Sequence, residues 1–212
     1  MFQFYQPQLN DGHLDVPYQK VVTSADITEA GVRDVYASLF DGADDCLQVS
    51  GFDLSNTDEV TVIAGVRKLS DAAIGVLLEH TNDLNSNNGS FFVLAPGGVL
   101  ANYSISSKGT VAAARSSSSS YASPHTSLLV LRSKISTDSL DLFVNKTSFS
   151  SSGNQGTGNY ANSTLNIGGR SNAASLPYNG YIHYIFICGA IVPDEVLTKI
   201  YRGLGPRIGL TV

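Results

Sequence analysis

Tryptophan is absent from this chain, methionine occurs once, and there are only two cysteines, Cys46 and Cys188. Two cysteines with no metal-type spacing exclude a zinc-ribbon centre and a disulfide-stapled scaffold. They read as small buried hydrophobes, with a pairing left open. Charged residues make up 15% of the sequence, well under the quarter usual in globular domains. The formal net charge is -5 and no dense Lys/Arg patch offsets it, which argues against general nucleic-acid binding. No apolar run is long enough to insert in a membrane as a spanning helix. The opening MFQFYQPQLNDGH has neither the basic nor the apolar region of a signal peptide. The histidines His13, His80, His125 and His183 are scattered, and no Gly-x-Ser-x-Gly elbow precedes a helix. The glycines of residues 153–158 (GNQGTG) lack the strand-to-helix context of a phosphate loop.

What the chain has in quantity is Ser, Asn, Thr and Gly, set between apolar runs of period two. Residues 59–67 (EVTVIAGVR), 73–80, 90–94, 126–134 and 139–145 (SLDLFVN) read as strands. In the last of these Leu140, Leu142 and Val144 share one face, and Phe143 lies on the other. Residues 35–40, 46–49, 147–149 and 164–168 add shorter strands. Residues 100–106 and 110–114 form a hairpin about Ser107-Lys108-Gly109. Residues 178–203 close the pattern. Asn179-Gly180 turns into a long β-run, 181–188. Its alternation places Ile182, Tyr184 and Phe186 on one face and Ile185 and Ile187 on the other. Pro193-Asp194-Glu195 then starts a helix, and Gly203 stops it.

Residues 1–34 have a different texture. Phe2, Phe4, Tyr5 and Tyr18 are scattered among Gln, Pro and Asp without a period. They form an arm that packs along its own domain or docks on a neighbouring subunit, and exposed aromatics favour the second. Residues 35–203 make one all-β domain, and 204–212 are a short tail.

A Gly, a long apolar strand, a short break and an amphipathic turn ending in Tyr201 resemble the closing strand and helix of concanavalin A-like, laminin G-like jelly rolls. Residues 164–170 (TLNIGGR) and 40–45 (FDGADD) resemble the family's penultimate and opening strands. The wording of residues 58–71 (DEVTVIAGVRKLSD) and 155–160 (QGTGNY) resembles laminin G-like domains of tailed-bacteriophage virion proteins. The resemblance implies a jelly-roll sandwich with a short C-terminal helix and an N-terminal arm. It implies a closing strand beside the first strand, with Cys46 and Cys188 within reach of each other.

It also implies a function class: a non-enzymatic structural subunit on the outside of a virion, as decoration, fibre or tail accessory. The expected partners are other virion proteins, further copies of the chain in a homo-oligomer, and host-surface glycan. A lectin-like adhesin is the alternative. Glycoside hydrolases of the superfamily carry Glu-x-Asp-x-Glu or Glu-x-Asp-x-x-Glu, and this chain has neither. Glu79 and Asp83 come nearest to such a pair. For sugar binding the candidate platforms are Tyr103, Tyr121, Tyr160 and Tyr178, each otherwise a half-buried anchor of its loop. Laminin G-like domains often bind calcium at the sheet rim, which makes Asp83, Asn85 and Asn87 candidate Ca2+ ligands, or simply a solvated turn.

Overall fold

A computed structural model describes residues 36–172 and 174–210. The arm residues Phe2, Phe4, Tyr5 and Tyr18 lie outside the described residues. The compact unit begins at Ala37. Its strands are β1 (Ser38–Asp41), β2 (Leu47–Asp53), β3 (Glu59–Lys68), β4 (Val76–His80), β5 (Ser90–Leu94) and β6 (Ser104–Lys108). They continue as β7 (Ala112–Ser116), β8 (His125–Lys134), β9 (Ser139–Val144), β10 (Thr147–Ser151), β11 (Asn162–Ile167) and β12 (Asn179–Cys188). One helix follows, α1 (Asp194–Leu204). Sheet A has the order β1-β12-β3-β8-β9-β10 and sheet B the order β2-β11-β4-β5-β6-β7, and every pairing is antiparallel. The all-β sandwich with one short C-terminal helix is the expected fold class, and β12 lies beside β1 as expected.

Alternation builds the core. Val60, Val62, Ala64 and Val66 of β3 point inward, with Leu140, Leu142 and Val144 of β9, against Phe91, Val93 and Ile105 of sheet B. The outward residues Ile63, Leu128 and Val130 are buried too, because Leu197 and Tyr201 of α1 cover them. Each such side chain taken out of water contributes about 1.5–3 kcal/mol. The helix extends past Gly203 to Leu204, and Gly205 caps it. The expected tail is part of the same layer, since Pro206–Ile208 forms a 3-10 turn that buries Ile208 beside Leu197 and Tyr201.

Strand β12 departs from simple alternation. A bulge lies between Ile182 and Tyr184. It places Ile182 with Ile185 and Ile187 on the main core, and Tyr184 on the helix side. Phe186 then points outward and stays 52% exposed. The Tyr184 ring lies against Gly65, where any Cβ would collide with it. Strand parity also exposes Cys188, which follows the inward Ile187. Both thiols are free, Cys46 half-buried and Cys188 exposed. Cys46 sits near Gly169 while Cys188 pairs with Thr61 at the far end of β12, so neither is a buried hydrophobe.

Polar groups inside the sandwich are joined to each other. Ser133 Oγ donates to Gln155 Oε1 at 2.8 Å and accepts from the Ser107 hydroxyl at 2.9 Å. Tyr160 and Ser107 hydroxyls meet at 2.8 Å. Gln155 Nε2 donates to the carbonyls of Lys134 and Ser139. His80 stacks on Phe91 with ring centroids 5.2 Å apart, and its Nε2 donates to the Phe52 carbonyl at 3.1 Å.

Burial holds the pKa of His80, His125 and His183 below the ordinary 6.5. The unfolded chain therefore takes up protons first. Stability is full above about pH 6.5 and falls as pH drops through that value toward the folded pKa. Melting temperature is expected to fall from about pH 7.5 to about pH 5, and less steeply in His80→Gln. An unchanged slope in that variant would remove His80 from the account.

Candidate functional site

Two adjacent phenylalanines in one strand cannot both enter the core. Phe91 does, at 0% exposure, so Phe92 projects from the outer face of sheet B and is half-buried. Register places it in a row that crosses all six strands: Gln48, Asn166, Glu79, Phe92, Ser106, Ala114. At the usual strand spacing that row is about 24 Å long. The neighbouring row, Leu165, His80, Phe91, Ser107 and Ala113, faces inward.

Glu79 is the centre of the outer row. Its side chain is 0% exposed, and a buried carboxylate must be paired. Arg170 meets it with two prongs, Nε to Oε2 at 2.7 Å and Nη2 to Oε1 at 3.0 Å. Leu84 N–H also donates to Oε1, at 2.8 Å. To reach Glu79 the chain after β11 folds back over the sheet. Ser171 and Asn172 take left-handed backbone, φ 50° and 60°, which is strained for residues with a side chain. Ser171 Oγ donates to the Asn82 carbonyl at 2.6 Å, and Asn172 N–H to Asn166 Oδ1 at 3.3 Å. Gln48 Nε2 donates to that same Oδ1 at 2.7 Å.

The loop between β4 and β5 folds over the same face and buries Leu84. Lys108 Nζ donates to the carbonyls of Leu84 and Asn85, at 3.2 and 2.9 Å. An internal ammonium thus takes oxygens that a bound cation would otherwise gather. Asp83 Oδ1 accepts the Asn85 N–H and Oδ2 the Ser86 hydroxyl. Asn87 Nδ2 donates to the Asp83 carbonyl. Asp83, Asn85 and Asn87 therefore hold their own turn rather than a common ligand point. Burial raises the pKa of Asp83, but those hydrogen bonds and the charges of Arg170 and Lys108 outweigh it, leaving it below the ordinary carboxylate value. The Asp83 carboxylate lies 3.5 Å from Arg170 Nη1, so both carboxylates nearest to a hydrolase pair share one guanidinium.

The expected tyrosine platforms are elsewhere. Tyr103, Tyr160 and Tyr178 are 0%, 2% and 0% exposed, their rings part of the core between the sheets. Tyr121 is half-buried against Tyr103 and His125. Their loops anchor inward because each ring finds apolar surface there, and Tyr160 and Tyr103 also find hydroxyl partners. None projects from the outer row, where Phe92 is the aromatic. The Phe-Phe pair within a strand was the signal that could have found it. Among the described residues Asp41, Asp44 and Asp45 bring carboxylates together at the exposed β1–β2 turn. Asp45 and Asp41 there accept the N–H groups of Asp41 and Ala43.

No protein-family model matches the sequence, and no curated protein matches it. Solved structures share its architecture. Domains LG4-5 of the mouse laminin alpha1 chain align with a TM-score of 0.56 at 12% identity, over 76% of this chain and 44% of theirs. The chain therefore spans less than half of that laminin fragment. The CBM40 of the Ruminococcus gnavus IT-sialidase, bound to alpha2,3 sialyllactose, aligns with a TM-score of 0.55 at 13% identity, over 74% and 96%. The heptameric SAP-like pentraxin of Limulus polyphemus gives 0.60 at 11%, over 77% and 80%. The fold is a laminin G-like, concanavalin A-like jelly roll.

Removing one member of the Glu79–Arg170 pair is expected to cost about 3–5 kcal/mol in urea unfolding, because the other charge stays buried. Glu79→Leu combined with Arg170→Met is expected to cost less than the two single changes added together. Additive costs would show that the two side chains act separately.

Proposed function

We propose that this chain is a non-enzymatic carbohydrate-binding module, whose glycan site is the outer row of sheet B centred on Phe92. The observation that carries the reading is a partly exposed aromatic set one strand from a charge-paired Glu79–Arg170 platform. A sugar ring offers C–H groups to an aromatic face and hydroxyls to polar neighbours, and this face supplies both. Gln48, Asn82 and Asn172 are exposed there, with Asp83 partly so. The likeness to a CBM40 seen with sialyllactose supports the reading at the level of fold. Catalysis has less support. A glycosidase acid needs a raised pKa, whereas Asp83 is held low and Glu79 is closed off under Arg170.

The sequence supports a place for this module. The virion-like wording of residues 58–71 and 155–160, with the aromatic arm of residues 1–34, favours an external decoration, fibre or tail subunit of a bacteriophage. In that setting the chain is a homo-oligomer, its arm contacts other virion proteins, and the glycan is on the host surface.

Phe92→Ala is expected to weaken glycan binding at least tenfold, about 1.4 kcal/mol, without changing the far-UV spectrum. A glycan array and host cells supply the ligands. Absence of wild-type binding to both would end the glycan reading. Electron microscopy of particles tests the placement, and a chain missing from them would end the virion reading alone.

A further inference from the structure

Lys68, the last residue of β3, has a side chain 0% exposed. Its Nζ lies 5.0 Å from the Tyr103 ring centroid and 2.5 Å from Asp71 Oδ1. The two form an ion pair, and beyond each other neither atom has a hydrogen-bond partner among the described residues. Asp71 Oδ2 is fixed by the Ser123 N–H at 2.6 Å. A buried ion pair whose ammonium has no further acceptor is a costly arrangement. An amide between the two would carry no charge, would remove Oδ1 as water and would reduce the donors on Nζ to one.

We propose that Lys68 and Asp71 condense to an intramolecular amide, a covalent clasp across the turn that leaves β3. The reaction begins with transfer of one proton from the Lys68 ammonium to Asp71, giving an amine and a carboxylic acid. Nζ attacks Cγ, and the charge developing on Oδ2 meets the Ser123 N–H already aimed at it. The Nζ–Cγ bond forms and the Cγ–Oδ1 bond breaks. The hydroxyl and one Nζ proton depart as water, and nothing is oxidised or reduced. The two side chains are held in contact by the fold, so the step is intramolecular. Burial lowers the pKa of Lys68 against the pull of Asp71, while at Asp71 burial raises the pKa but Lys68 and the Ser123 N–H outweigh it, so the amine and acid form is the minor one from which attack starts.

The test is the intact mass of the purified full chain, measured after denaturation. The expected mass is one water below that of the sequence, after allowance for Met1. Tryptic fragments should show no cleavage after Lys68 and should place the loss within residues 68–71. Lys68→Met and Asp71→Ala should each restore the full mass. A wild-type chain at its full sequence mass overturns the proposal. So does a water loss mapped to Asp11-Gly12 or Asp41-Gly42, where an aspartyl succinimide would form. The wild-type mass and fragments decide the matter even if a variant fails to fold.

Discussion

The outer face of sheet B is arranged around the need to neutralise one buried carboxylate. Glu79 sits on a central strand with no exposed surface, and an unpaired charge there would cost several kcal/mol. Arg170 supplies the partner, from the chain just beyond β11, the strand beside β4. The chain turns at Gly168, φ 86°, to deliver it, and two left-handed residues follow directly after it. That return brings Ser171 and Asn172 onto Asn82 and Asn166, and so fixes the second flap of the face. Leu84 N–H, also on Glu79, draws in the first. The pair is thus less a source of net stability than of shape. It determines which parts of the row are roofed and leaves Phe92 at the edge of the roof.

The opposite face of the sandwich has a different solution. Ile63, Leu128 and Val130 turn outward from sheet A and would form an exposed apolar stripe without α1. Leu197, Tyr201 and Ile208 close it with apolar side chains. At one edge Arg132 ties the helix start to the sheet, through the Val192 carbonyl and Asp194. One outer face is therefore sealed by hydrophobic contact, and the other is covered in part by hydrogen-bonded loops. Polar loops leave donors and acceptors at the surface, which apolar packing does not.

Much of this was legible in the sequence because strand alternation is a local signal. Leu140, Leu142 and Val144 announced a buried face, and Pro193-Asp194-Glu195 announced a helix start. Residues within the virion-like segments also hold the sandwich together. Gln155 and Tyr160 belong to the polar network between the sheets, and Asp58 accepts the Ser136 N–H at the rim. The bulge in β12 was not legible, since nothing in YIHYIFIC marks where an extra residue is absorbed. It reversed the face assigned to Ile182. The tyrosines misled for a related reason. Their positions between strands suggested surface loops, but loop residues at the ends of a sandwich can point back between its sheets. Arg170 was quoted only as part of a strand resemblance, because its partner lies 91 residues away in sequence.

The same contrast explains why the proposed site rests on Phe92 rather than on a tyrosine. A loop tyrosine can swing inward, and here three do so completely. A residue in the middle of a paired strand cannot, because its direction is set by parity and its neighbours hold the register. With Phe91 fixed in the core against His80 and Tyr160, Phe92 has no inward alternative. An aromatic held outward in this way is pre-organised, and a ligand that stacks on it loses little freedom on the protein side. The low charge of the chain fits such a face. Neutral polar groups can meet sugar hydroxyls without the desolvation cost that free charges would bring.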